Sequence, residues 1–328
     1  MKAIVIDKPG GPESLVLRDV PVPAPGRGEV RVRVHASAIN RADLLQRMGH
    51  YPAPPDVPAD IPGIELAGEV DALGEGAREL AVGDRVFGLV GGGAYAEHVV
   101  AHERTLAKMP AGLSFTDAAA IPEAFITAYD AMVTQARLAA GETVVVHAVG
   151  SGVGTAAVQI ARAIGATSIG TSRTEDKLAR ARELGMHHGV TVPSGKFANE
   201  VRALTDARGA DVVLELVGGA YVPEDLACLA PRGRLILVGL LAGPRAEVDL
   251  GTILRKRLEI TGTVLRSRPL EEKIAVTAAF ARHVVPLVAR GDFRAIVDRT
   301  FPLARACDAH TYVAENTGFG KVVLEIAP

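Results

Sequence analysis

Tryptophan is absent from this chain of 328 residues, cysteine occurs twice, and aromatic residues make up 4%. Cys228 and Cys307 are far apart and in no CxxC arrangement. That rules out a disulfide framework and a thiolate zinc site. The pair reads as two small buried hydrophobes in a reducing compartment, with the cytoplasm as the expected location. Charge of one sign is missing too, since 36 basic residues against 38 acidic ones leave a net −2. Without a basic surplus or many aromatics, neither a nucleic-acid platform nor a membrane-surface role is expected. No apolar run reaches the roughly 18 residues of a membrane helix. The opening segment, MKAIVIDKPGG, has no apolar stretch or cleavage site of a secretory leader. Neither GxxxxGK[ST] nor GxSxG occurs, so nucleoside triphosphatases and α/β-hydrolases lose support.

What is present has the length of two domains. Up to about residue 120 the chain reads as strands and turns. Val30-Arg31-Val32-Arg33-Val34 alternates with the period of a half-buried strand, and residues 63–70 and 85–90 continue the theme. Prolines 52, 54, 55, 58 and 62 and Gly91-Gly92-Gly93 break the strands. This predicts an antiparallel, barrel-like domain. Near Ala118 the pattern changes, and to about residue 265 apolar strands alternate with helical periods, as in a parallel α/β sheet. Val144-Val145-Val146 reads as a strand covered on both faces. Val153, Ala156, Ala157, Ile160, Ala161 and Ile164 form one helical stripe that stops at Gly165. Strands are expected at 168–170, 211–215, 235–238 and 259–264. A last strand over 320–326 is expected to pair back into the first domain. Arg255-Lys256-Arg257 reads as a solvated helix end.

The sharpest motif is His147-Ala148-Val149-Gly150-Ser151-Gly152-Val153-Gly154, set between a buried strand and an amphipathic helix. A dinucleotide pyrophosphate requires a tight turn, close backbone approach and the amides of a helix N-terminus. Gly150, Ser151, Gly152, Val153 and Gly154 supply small residues and amides there. The next strand ends Gly170-Thr171-Ser172-Arg173, with Lys177 one helical turn on. NAD-specific folds carry a carboxylate near this place to bind the ribose hydroxyls. Here a hydroxyl and two cations take its place, which favours NADPH through its 2′-phosphate. Glu175 and Asp176 fall in the first helical turn, where the macrodipole explains them.

Asn40-Arg41-Ala42-Asp43-Leu44-Leu45-Gln46-Arg47, Ala120-Ile121-Pro122-Glu123-Ala124-Phe125 and Ser151-Gly152-Val153-Gly154-Thr155-Ala156-Ala157 resemble the quinone oxidoreductase branch of the medium-chain dehydrogenase/reductase superfamily. The resemblance spans nearly the whole chain, through Leu265-Arg266-Ser267-Arg268 to Gly320-Lys321-Val322-Val323-Leu324-Glu325. It implies an α/β fold: a GroES-like antiparallel barrel over 1–122 and 267–328, and a Rossmann doubly wound parallel sheet over 123–266. Zinc alcohol dehydrogenases of this superfamily hold their metal with two Cys and one His. The matching segments here present Asn40, Ile64 and Glu123, a poor zinc set. His187-His188 would face opposite ways on a strand, so no metal is expected.

The resemblance further implies hydride transfer from NADPH to quinones or related conjugated carbonyls, whose new oxyanion requires hydrogen-bond donors. Tyr51 would line the substrate cleft, as donor or as wall, and Asn40 would lie beside the nicotinamide ribose. Thr127, Ser151, Gly152, Val153, Lys177, Gly239, Leu240, Leu265, Arg266 and Ser267 match family positions that contact the cofactor. A tyrosine of the relatives near the adenine aligns with Val192, which cannot stack on the base. Two alternatives stay open: an alkenal, enone or enoyl-thioester reductase, and an NADPH-binding structural or RNA-binding protein of the zeta-crystallin type. Subunits of the superfamily commonly join through the last strand of the nucleotide-binding sheet, here about Ile260 to Leu265, so a homodimer or homotetramer is expected.

Overall fold

The structure is a computed structural model that describes residues 1–326. Its contacts divide the chain into two units, Met1–Ile126 with the segment from Leu265 onward, and Thr127–Val264.

The first unit opens with β1 (Lys2–Ile6), β2 (Leu15–Asp19), β3 (Glu29–Ala38), β4 (Glu65–Leu73), β5 (Arg85–Leu89), β6 (His98–His102) and β7 (Leu106–Lys108). Alternation along β3 buries Val30, Val32 and Val34 completely and turns Arg31 and Arg33 outward. These valines meet Leu66, Val70, Val86 and Val99 in one apolar core. β3 pairs antiparallel with both β4 and β6, and two register shifts along β3 and β4 curl the sheet. The strand expected from residue 63 starts at Glu65, because Gly63 takes a left-handed φ of +98° beside the Ala94–Tyr95 backbone. A Cβ there would lie 2.7 Å from the Tyr95 nitrogen, so the position requires glycine.

The second unit contains β8 (Thr143–Val146), β9 (Thr167–Ser172), β10 (His188–Thr191), β11 (Ala210–Glu215), β12 (Leu229–Leu237) and β13 (Glu259–Gly262). All six are parallel, in the order β10-β9-β8-β11-β12-β13. Strand order therefore reverses between β8 and β11, the switch point where doubly wound sheets bind nucleotides. The helix Gly152–Ile164 follows β8, capped by the Ser151 side chain and ended by Gly165 at φ +81°. Two details differ from expectation. A π-helical segment, Asp130–Gln135, precedes β8 without any local sequence signal. Arg255-Lys256-Arg257 does end the helix Leu250–Lys256 with both arginines exposed, but the half-buried Lys256 ammonium donates to the carbonyls of Leu226, Ala227 and Leu229, closing the helix Tyr221–Cys228.

The chain then returns to the first unit with β14 (Val297–Pro302) and β15 (Lys321–Glu325). β15 pairs antiparallel with β3, as expected of the last strand, and parallel with β14. The architecture is α/β, a GroES-like barrel sheet plus a Rossmann sheet. Among the described residues no helix is long and apolar enough to cross a membrane.

Candidate active site

In the second unit the turn after β8 is shaped by packing. Ala148 sits at φ +45°, uncommon for a residue with a Cβ. A Cβ on Gly154 would lie 2.6 Å from the Ala148 carbonyl oxygen and 2.7 Å from the Val149 Cα. Only glycine lets the helix start this close to the turn, which leaves its first amides facing the end of the sheet. Ser151 spends its hydroxyl on the Gly154 amide at 3.0 Å. Small residues at the turn and helical amides beyond it suit a pyrophosphate.

At the end of β9 the buried Ser172 hydroxyl accepts from the Thr174 amide at 3.2 Å, while Arg173 is exposed and Lys177 half-buried. The two acids that follow are committed elsewhere. Glu175 pairs with Arg182 at 2.6 Å and accepts from Thr191, and Asp176 is held below its ordinary pKa first by a hydrogen bond from Thr174. Among the described residues, β9 itself ends in Gly170-Thr171-Ser172 with no carboxylate to oppose a 2′-phosphate. Thr127 is buried on the helix Pro122–Tyr129, and Gly239 and the exposed Leu240 follow β12. Val192 is not at a surface: it lies 1% exposed in the core with Val145, Ile169 and Phe197.

The switch point also holds a cluster that spacing could not reveal. His147, Glu215 and Asp225 are fully buried, with ligand-type atoms all within 4.8 Å of one another. His147 Nε2 lies 2.7 Å from Asp225 Oδ1, and Nδ1 lies 2.8 Å from the Thr171 hydroxyl. Glu215 Oε1 accepts from the Val217 and Gly218 amides, which favours its ionised form. Its backbone oxygen accepts from Val238 and Gly239, so one residue ties together the turns after β11 and β12. Burial pushes Asp225 up to about 8 and Glu215 up to about 7, and pushes His147 down to about 4. Glu215 Oε2 and Asp225 Oδ2 have no hydrogen-bond partner. A proton held between the two carboxyls satisfies both, with Asp225 the protonated member and the imidazole neutral.

The first unit places Asn40 at the N-cap of the helix Arg41–Arg47, where it forms a reciprocal capping box with Asp43. Its Nδ2 donates to the Ala38 carbonyl at 3.1 Å and to Glu65 Oε1 at 2.9 Å, and its Oδ1 accepts from Lys321. Both amide hydrogens are therefore used inside the unit. Glu65, fully buried, also accepts from Lys321 Nζ at 2.7 Å and from the Glu123 amide at 2.8 Å. Lys321 Nζ lies 3.8 Å from Glu123 Oε2. The zinc-ligand positions Asn40, Ile64 and Glu123 thus present a committed amide, an alkyl group and a carboxylate beside a fixed ammonium. Such a set does not fit zinc, and the buried Lys321 ammonium already faces the carboxylates of Glu65 and Glu123.

Tyr51 is half-buried beyond that helix. The Arg266 guanidinium lies 5.3 Å from its ring centroid, donates to the Gly91 carbonyl and to Gln46 Oε1 at 2.6 Å each, and reaches the Tyr51 carbonyl at 3.5 Å. Burial raises the Tyr51 pKa and Arg266 opposes the rise, so the phenol is a protonated donor at neutral pH. Of its neighbours in sequence, Leu265 is half-buried and Ser267 exposed. The expected cofactor set is thus divided, with Asn40, Leu265, Arg266 and Ser267 in this unit and the others in the second.

Comparison with known proteins agrees with these features. Residues 26–111 match the family described as "Alcohol dehydrogenase GroES-like domain", and residues 152–281 match "Zinc-binding dehydrogenase". A quinone oxidoreductase of Pseudomonas aeruginosa is 38% identical over 321 residues, 96% of each chain. The human quinone oxidoreductase is 33% identical over 331 residues, covering 99% of this chain and 97% of its own. Escherichia coli quinone oxidoreductase complexed with NADPH superposes with a TM-score of 0.89 at 28% identity, covering 99% of this chain and 100% of the other. The chain belongs to the quinone oxidoreductase family of the medium-chain dehydrogenase/reductase superfamily.

Proposed function

We propose that this protein is an NADPH-dependent reductase that transfers hydride to quinones and related conjugated carbonyls without a metal. One observation carries the reading: a dinucleotide loop whose following strand ends without a carboxylate, in a chain whose expected zinc-ligand positions hold Asn40, Ile64 and Glu123, with Asn40 and Glu123 beside Lys321. NADPH supplies the hydride, and the protein binds, orients and excludes water. The amides of Gly152 and Val153 receive the pyrophosphate, with Gly150 and Gly154 permitting the approach. Ser172, Arg173 and Lys177 receive the 2′-phosphate. Thr127, Gly239, Leu240, Leu265 and Ser267 complete the cofactor contacts. Asn40 is a positioning residue, since its amide hydrogens are already used. Tyr51 is the neutral donor toward the carbonyl oxygen.

Two finer assignments accompany this. The two cysteines are unpaired, Cys228 buried and Cys307 half-buried, which suits a reducing cytoplasm. β13 ends its sheet with all four residues exposed, Ile260 among them at 41%, so its outer edge offers unpaired main chain to a second copy across a two-fold axis. A homodimeric mass by light scattering at micromolar concentration is expected, and a monomeric one overturns that assignment.

The deciding experiment follows NADPH oxidation against parallel panels of quinones, enals and enoyl thioesters, before and after exhaustive chelation. Quinone-dependent oxidation that survives chelation is expected. Activity lost to the chelator and restored by zinc sinks the metal-free reading, and turnover confined to thioesters reassigns the substrate.

A further inference from the structure

Two arginines of the first unit are buried without a carboxylate partner, Arg47 at 2% exposure and Arg266 at 7%. Arg47 ends the helix Arg41–Arg47, whose C-terminal carbonyls are themselves negative, and it donates to the Gly10 carbonyl at 3.1 Å and faces His310. Its charge is accounted for locally. Arg266 lies in a turn, outside any helix. Its three hydrogen bonds run to the neutral acceptors Gly91 O, Gln46 Oε1 and Tyr51 O. A guanidinium carries five N–H donors, so two remain without an acceptor among the described residues. Burial lowers its pKa, with only Asp43 and Tyr51 acting the other way from beyond ion-pair distance.

Burying an unpaired cation is costly unless a negative group completes the site. The fork is nevertheless fixed. Gln46 is anchored by its own bond to the Ala59 carbonyl at 3.0 Å, and the Tyr51 ring lies against the guanidinium. A preorganised charge of this kind suits an oxygen that becomes negative only during reaction.

The geometry points to Arg266 as the oxyanion site of the acceptor, distinct from a role in holding cofactor phosphate. This rests on the quinone-reductase reading above. In the step concerned, a C–H bond of the dihydronicotinamide breaks, its electron pair forms a new C–H bond on the acceptor, and the conjugated π system passes a pair onto the carbonyl oxygen. NADPH is oxidised by two electrons and the acceptor reduced by two. The resulting enolate or hydroquinone monoanion lies against the two spare N–H groups until a proton arrives from the Tyr51 hydroxyl, replenished by water.

A chromogenic phenol that ionises near neutrality probes this without turnover, titrated in the protein loaded with NADP⁺. An adjacent fixed cation should lower the bound phenol's pKa by about one to three units. Arg266→Gln should abolish the shift and leave the NADPH dissociation constant, read by nucleotide fluorescence, within about threefold. The same substitution should lower turnover on a sluggish enone by about ten- to a thousandfold. Arg266→Lys should restore part of the pKa shift. A wild-type protein that reduces quinones yet leaves the phenol unshifted overturns the proposal, whether or not the variants fold. A tenfold weaker NADPH affinity in Arg266→Gln with an unchanged phenol titration assigns the charge to the cofactor phosphate instead. Absence of any quinone-dependent oxidation overturns the underlying reading and is seen separately, in the wild-type assay.

Discussion

Each unit buries a polar cluster built on two carboxyl groups, and the two solve the same electrostatic problem in opposite ways. In the first unit Glu65 and Glu123 face the ammonium of Lys321. Burial acts to lower that ammonium's pKa, but the two carboxylates together hold it above the ordinary lysine value. In the second unit Glu215 and Asp225 face a neutral imidazole and share a proton instead. A fixed cation keeps its charge state across the whole neutral range. A shared proton leaves when the solution becomes alkaline enough. The Lys321 ammonium thus keeps its charge across the neutral range, whereas the carboxyls of the second unit, and Asp43 beside Asn40 in the first, raised to about 6 by burial, do not.

The harshest way to break the comparison is to remove the cation. Lys321→Met strands Glu65 in the core with its charge uncompensated, and should cost about 3–5 kcal/mol in denaturant unfolding. A loss below about 1 kcal/mol would mean that Glu65 takes up a proton as readily as Asp225 does, and the contrast would collapse.

The second test is the pH profile itself. Asp225 in the folded protein is raised to about 8, so the native state holds a proton that the unfolded chain has released, and stability declines as pH rises toward 8. His147 is depressed to about 4, so the unfolded chain takes up a proton first as pH falls below its ordinary value, and stability declines in that direction. Glu215 and Asp43, raised to about 7 and about 6, act in the same direction as Asp225, and His310, lowered to about 3, acts with His147, so the opposing slopes offset each other only in part below pH 6.5. Above pH 6.5 the histidine slopes are gone and the protons held by Glu215 and Asp225 remain, so stability should fall by about 2 kcal/mol between pH 6.5 and 8. Asp225→Asn should flatten this limb. Urea unfolding at stepped pH measures both, and an unchanged slope in the variant would exclude the shared proton.

Neither cluster could be read from the chain, for a physical reason. Lys321 and Asn40 are 281 residues apart, and His147 and Asp225 78 apart. Only the sheet topologies bring them together. Ile64 stands out in the sequence as a non-ligand, while its neighbour Glu65, the pivot of the cluster, carries no local signal. Local rules did better where one periodicity governs a whole element. Alternation along β3, the apolar run of β8 and the stripe of the helix Gly152–Ile164 all formed as expected, because burial on one or both faces dictates them. Val192 aligns with a tyrosine that relatives carry near the adenine, and its burial in the core is a matter of packing that no local pattern announces. Arg266 was legible only as a family position, and its uncompensated charge emerged from burial.

A third test concerns a charge that solvent reaches. Lys177 is half-buried on the first turn of its helix, near the end of β9. Lys177→Ala should raise the Michaelis constant for NADPH more than tenfold, about 1.4 kcal/mol, and leave NADH nearly unchanged. Equal losses for both nucleotides would remove the 2′-phosphate role. Stability should stay within about 0.5 kcal/mol, as for surface substitutions, in contrast to Lys321→Met.

The smallest effect is expected at Tyr51, where the comparison of fixed charge with movable proton reaches the chemistry. Burial keeps its phenol protonated, and Arg266 beside it remains a cation whether or not the hydroxyl is present. Tyr51→Phe keeps the ring and its contact with the guanidinium while deleting one neutral donor. If the fixed cation takes most of the developing charge, the loss is confined to proton delivery. Turnover on electrophilic quinones should then hold within about threefold, and on a sluggish enone it should fall about tenfold, with NADPH affinity unchanged. The discriminating quantity is the ratio of the two losses, measured with saturating NADPH. A thousandfold fall on both acceptors would make the phenol the principal oxyanion donor and demote Arg266 to holding the ring in place. No loss on either would leave Tyr51 as a wall of the pocket, with water as the proton source.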